Sequence, residues 1–163
     1  MTTQANVFFQ QPPTSPVTRR SSYRGAVLAL GLGAEAQRAF AEAADQAALI
    51  PSLEASFDEA DGWLEEHHPL AIVVEGDARR VEAACAALRE RPLLANVPVL
   101  AIVPRVDDLA FEALFGAGGD DLVPRGDAGA LGRRLRALAL TGDVPHSRRR
   151  GLAVVAHAEA RAR

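Results

Sequence analysis

Four strand-length apolar runs and a shorter fifth, each followed by a stretch with helical spacing, constrain this chain more than any other feature. The runs are residues 26–30, 48–53, 70–75, 98–103 and 122–123. Between them, residues 35–46 put Phe40, Ala43 and Ala44 on one face, and residues 78–90 space Val81, Cys85 and Leu88 one turn apart. A short helix is predicted over residues 108–115, and the last helix carries the stripe Leu131, Leu135 and Leu138. Strands that alternate with helices, and that are apolar almost throughout, imply a parallel sheet covered on both faces. The expected class is therefore α/β.

Start and stop signals sharpen the helices. Ser56-Phe57-Asp58-Glu59 has the Ser-x-x-Glu form of a capping box and opens a helix to His67, with Ala60, Trp63, Leu64 and His67 on one face. Pro69 ends that helix, and Asp127 is placed to cap the last one.

The 163 residues suit one domain with tails, and 48% hydrophobic against 24% charged residues suits a globular protein. A net charge of −3 gives no case for nucleic-acid binding. The chain has no lysine, and its single cysteine, Cys85, rules out an internal disulfide and lies on an apolar stripe. The longest apolar run, residues 25–34, is too short to span a bilayer, and the amino terminus has no signal-peptide pattern, so a cytoplasmic location is expected.

Residues 1–23 are rich in Thr, Gln, Pro and Ser and are expected to form a disordered tail, in which Phe8 and Phe9 are either a docking motif or incidental. Residues 24–140 form the expected domain, and 141–150, with Gly142, Pro145 and Arg148-Arg149-Arg150, the expected linker. Residues 151–163 echo the chain's own Arg24–Leu30 segment. They read either as the start of a second, similar domain or as a simple terminal helix.

Three segments carry a family resemblance. Residues 60–75, ending in Leu70-Ala71-Ile72-Val73-Val74-Glu75, resemble the second helix and third strand of bacterial response-regulator receiver domains. Val97-Pro98-Val99-Leu100-Ala101-Ile102-Val103 is similar to their fourth strand, and Ala117-Gly118-Gly119-Asp120-Asp121-Leu122-Val123 to the following turn and fifth strand. The resemblance implies a flavodoxin-like sheet of order 2-1-3-4-5. It also implies which positions would carry phosphoryl transfer, and those positions have changed. Where a receiver has two acidic metal ligands, this chain has Gly31 and Leu32, although a bound Mg²⁺ needs hard oxygen ligands. The nucleophilic aspartate is Glu75, whose carboxylate is displaced by about 1.5 Å, enough to misplace an in-line attack. The hydroxyl position is Val103. The lysine position is Arg125, followed by Gly126 in place of proline, or Val123 and Pro124 if one residue is gapped. The aromatic switch becomes Leu122.

The resemblance thus implies a pseudo-receiver: no catalysis, no cofactor, no metal, and a role in binding other receivers or signalling proteins, with a homodimer among the expected assemblies. Glu75 is either a fixed negative charge facing Arg125 or a drifted residue without a role. Receivers pair through the fourth helix, fifth strand and fifth helix, and Asp121, Arg133, Arg134 and Arg136 are the expected contacts of that face. The echo at 150–161 is similar to paired receivers in cyclic-di-GMP regulators of the PleD and PopA type, which would make the chain part of a longer scaffold. The rival reading is an NAD(P)-type site. Gly31-Leu32-Gly33-Ala34-Glu35-Ala36 matches G-x-G-x-x-A between a strand and a helix, and Glu54 ends the second strand, where a ribose-binding acid would sit. Gly118-Gly119-Asp120-Asp121 resembles the diguanylate-cyclase signature, but its place between helix and strand suits a turn.

Overall fold

The computed structural model describes residues 23–141. The expected tail, the linker and the segment 151–163 lie outside the described residues, apart from Tyr23 and Thr141 at their edges. Five strand–helix units follow one another: β1 Gly25–Leu30, α1 Ala34–Gln46, β2 Leu49–Glu54, α2 Phe57–Glu66, β3 Pro69–Glu75, α3 Ala78–Glu90, β4 Val99–Val103, α4 Asp108–Gly116, β5 Asp121–Pro124 and α5 Ala128–Thr141. All strand pairs are parallel, in the order β2-β1-β3-β4-β5. This is the expected flavodoxin-like α/β sheet.

Alternation along the strands sorts side chains into two cores. Val27, Ala29, Ala71, Val73, Leu100, Ile102 and Val123 face α1 and α5 and pack on Phe40, Ala43, Leu131 and Leu135. Leu28, Leu30, Ile72, Val74, Ala101 and Val103 face the other helices and pack on Leu64, Val81, Cys85, Leu88 and Leu114. Burying one such Leu, Phe or Val stabilises by ~1.5–3 kcal/mol. Cys85 behaves as a small hydrophobe, and burial pushes its thiol up to about 11.

The capping box forms with one shift of partner. Ser56 Oγ accepts from Glu59 N–H, while Glu59 Oε2 accepts from Ala55 N–H rather than from the cap residue itself. Trp63 and His67 stack at 4.6 Å on the face that also buries Ala60 and Leu64. The second strand is displaced from the expected 48–53, because Ala48 takes φ 55 to close the turn after α1 and so cannot extend it. Ala48 and Glu54 carbonyls bond Arg24 and Gly31 amides of the β1 segment, so alternate residues of β2 face β1 and Pro51 turns its nitrogen to the free edge.

At the amino-terminal ends of the strands a single arginine ties the loops together. Arg89 donates to the carbonyls of Gly118 (2.9 and 2.6 Å), Leu94 (3.1 Å) and Val97 (2.9 Å), and to Asp120 Oδ2 at 3.2 Å. Asp120 in turn accepts from Val99 N–H at 2.8 Å. The Gly118–Asp121 segment is thus a helix-to-strand turn. A Cβ on Gly119 would lie 2.1 Å from Leu114 Cδ1, so the turn requires glycine there.

Candidate functional site

In an open parallel sheet, ligand chemistry gathers at the carboxyl ends of the strands where their order reverses. Here that place lies between β1 and β3, and Glu75 stands in it as the last residue of β3. Strand alternation carries Ala71, Val73 and then Glu75 to the α1/α5 side. The Glu75 carboxylate, 9% exposed, is engaged at both oxygens. Oε2 accepts from Gly33 N–H at 2.7 Å, and Oε1 accepts from Arg125 Nε at 2.7 Å. Gly33 is the N-cap of α1 and has no side chain to cap it, so the Glu75 carboxylate brings negative charge to the positive end of that helix. Arg125 follows β5, its own N–H bound to Val103 O at 2.7 Å, and its side chain (43% exposed) folds back across the strand ends. One carboxylate therefore ties the loop after β1 to the loop after β5.

The rest of the depression is built from backbone and arginine. Gly31 turns the chain out of β1 at φ +62, where a side chain would be strained and would meet Arg80 Nη2 at 2.7 Å. Arg80, in the first turn of α3, donates to Gly31 O at 3.0 Å. Gly31, Gly33, Glu75, Arg80 and Arg125 border a shallow hollow of about 420 Å³. Leu32 borders it but buries most of its side chain in the α1/α5 core, and Val103 and Leu122 are buried in the opposite core. Of the two residues compatible with the lysine position, Arg125 reaches Glu75, while Val123 is buried beneath α5. A divalent cation does not fit this arrangement. Gly31 and Leu32 supply no carboxylate, both Glu75 oxygens are already bonded, and two guanidinium groups flank the hollow. Among the described residues no group of three or more His, Cys, Asp or Glu is placed to hold a metal.

The dinucleotide reading meets the same obstacle. The helix N-terminus that would receive a pyrophosphate already faces the Glu75 carboxylate, and a second anion there would meet like charge. Glu54 does end β2, where Ser52 Oγ donates to it at 2.9 Å.

The four residues expected on one interaction face are divided by α5. Arg134 pairs with Asp121 at 3.0 Å on the β5 side. Burial raises the Asp121 carboxyl above its ordinary value, and Arg134 offsets part of that. Arg136 lies on the other side of α5 and donates to Gln46 O at the end of α1 at 3.1 Å, with Arg133 one turn before it. Positions 134 and 136 differ by about 200° around a helix, so Arg134 and Arg136 stand on different sides of α5. Sequence reading missed the apolar part of the α4 side, where Val106 and Leu109 are exposed, Leu109 to 66%. It also missed Arg80, and it singled out Gly33 as part of a dinucleotide motif without its bond to Glu75, which depends on loop geometry.

No protein-family profile matches the chain, and no curated protein matches it. Solved structures do. The chemotaxis response regulator CheY4 of Vibrio cholerae matches with a TM-score of 0.59 at 13% identity, over 70% of this chain and 98% of that one. The receiver domain of the sensor histidine kinase PA1611 from Pseudomonas aeruginosa, which has a magnesium ion in its active-site cleft, matches at 0.57 and 18% identity, over 71% and 97%. An atypical orphan response regulator, described as having a phosphorylation-independent regulatory mechanism, matches at 0.58 and 12%, over 72% and 98%. The chain carries the fold of response-regulator receiver domains.

Proposed function

We propose that this chain is a non-phosphorylatable pseudo-receiver, a protein–protein interaction module in bacterial signal transduction. The observation that carries the reading is the closed bonding of Glu75. The residue at the phospho-acceptor position has both oxygens committed to Gly33 and Arg125, and Gly31 and Leu32 hold the two positions after β1 where a receiver carries its acidic ligands. A receiver uses its phosphoryl group to reorganise the loops at this end of the sheet. Here a permanent carboxylate–guanidinium pair spans those loops instead. The atypical neighbour with phosphorylation-independent regulation supports such a role by analogy. The α4–β5–α5 side, with Leu109, Val106 and the Asp121–Arg134 pair, is the proposed contact for other receivers, signalling proteins or a second copy. A place in a tandem-receiver, cyclic-di-GMP-linked scaffold of the PleD and PopA type is the parent architecture we propose.

The test is a thermal-shift series with Mg²⁺ plus beryllofluoride, joined to acetyl-phosphate labelling. No shift and no label are expected. A ligand at 100 times its dissociation constant would add ~2.7 kcal/mol, so a stabilisation of that size by beryllofluoride would refute the reading. Stabilisation by NAD or NADP would instead move the function to the Gly31–Gly33 loop.

A further inference from the structure

At the opposite end of the sheet from Glu75, a groove of about 380 Å³ opens between the end of α2 and the loop from α3 to β4. Leu64, His67, Pro69, Leu93, Leu94 and Val97 form its apolar walls, and Leu93 is 75% exposed. The α2 rim is acidic. That helix carries Asp58, Glu59, Asp61, Glu65 and Glu66 and no basic residue; Asp61 and Glu65 border the groove itself, Asp61 paired with Arg91, which also lines it. Nothing in the proposed receiver-like function uses this place.

The geometry points to residues 1–22 of the same chain as its occupant, with Val7-Phe8-Phe9 seated against the apolar walls. Three observations select this segment over other occupants. Position comes first: the chain enters β1 at this end, and Ala26 pairs in register with Pro69, a wall residue, across a strand spacing of about 4.8 Å. Reach is ample, since the fourteen steps from Phe9 to Tyr23 span up to roughly 46 Å. Charge is complementary, because residues 1–22 contain Arg19 and Arg20 and no acidic residue, opposite an acidic helix. Tethering makes the contact intramolecular, with an effective concentration in the millimolar range for a linker of this kind, so a modest apolar contact suffices.

The experiment uses the full chain with paired cysteines. Gln10→Cys is combined with Asn96→Cys, an exposed position beside Val97, or with the control Leu109→Cys on α4. Cys85 is buried and does not compete. Intrachain disulfide formation under mild oxidation is followed by mass and gel mobility. The Gln10–Asn96 pair is expected to close at least ~10-fold faster than the Gln10–Leu109 pair, a ratio worth ~1.4 kcal/mol. Phe8→Ala with Phe9→Ala, added to the Asn96 pair, is expected to erase that advantage; these positions precede the domain, so the substitutions leave its core intact. Equal rates for the two pairs would overturn the proposal, as would an advantage insensitive to Phe8→Ala and Phe9→Ala. Predominant interchain disulfides through the same positions would assign the groove to a second copy and overturn it as well.

Discussion

Neutralising Glu75 tests whether the carboxylate braces the loops or merely sits among them. Glu75→Gln keeps the length and shape of the side chain and removes its charge. Two contacts weaken. The bond to Arg125 is charge-assisted, a class worth ~1.5–3 kcal/mol, but Arg125 is nearly half exposed, so solvent screening reduces its share to ~1 kcal/mol. The contact with Gly33 at the α1 N-terminus adds ~0.3–1 kcal/mol. The expected loss is therefore ~1.3–2 kcal/mol, or ~5–10 °C in Tm for a domain of this size. Urea denaturation at low and high salt is the assay, because salt screens the exposed Arg125 share more strongly than the part-buried Gly33 contact. A double-mutant cycle with Arg125→Met should return a coupling of ~1 kcal/mol. Glu75→Asp should destabilise too, since the shorter arm cannot hold Gly33 and Arg125 together. A Glu75→Gln protein within ~0.5 kcal/mol of the parent, the range of ordinary surface substitutions, would refute the bracing role.

Arg89→Met should be the most damaging single change outside the cores. It takes the guanidinium away from the buried Asp120 carboxylate, which keeps its Val99 N–H bond; breaking a buried pair costs ~3–5 kcal/mol, and circular dichroism should show a Tm lower by more than ~10 °C. Cys85 should resist a thiol reagent at pH 8 in the folded state and react on unfolding. Its folded pKa, about 11, lies above the ordinary 9.0, so stability should fall as pH rises from 9 to 11, and Cys85→Ala should lack that fall. Pro51→Val should expose a free N–H on the edge of β2 and raise self-association in sedimentation, with little change in monomer stability.

How much of this was legible in the sequence depends on the distance over which each signal acts. Periodicity placed the five strands and five helices because burial on a sheet face or helix stripe repeats every two or 3.6 residues. α3 has the expected bounds, Ala78–Glu90, since Asp77 caps it and its apolar stripe is regular. The bounds of β2 moved by one residue, from 48–53 to Leu49–Glu54, because a left-handed Ala48 leaves no mark in composition. The Arg89 clamp was invisible, as its partner Asp120 lies 31 residues away and most of its bonds go to carbonyls, which every residue has. At the site, the substitutions at 31, 32, 75 and 103 could be read only beside the receiver pattern. That Arg125 reaches Glu75, rather than pointing to solvent, needed the fold, as did the capture of Gly33 N–H.

The tie from Glu75 to both Gly33 and Arg125 also bears on how strongly anything can bind at this end of the sheet. In a two-state switch, apparent affinity is reduced by the fraction of molecules in the competent arrangement. A brace that no reaction has to install biases these loops toward one arrangement. In the pseudo-receiver we propose, a partner docking on these loops would meet close to its full intrinsic affinity, and its occupancy would follow the abundance of the chain rather than a reaction on it.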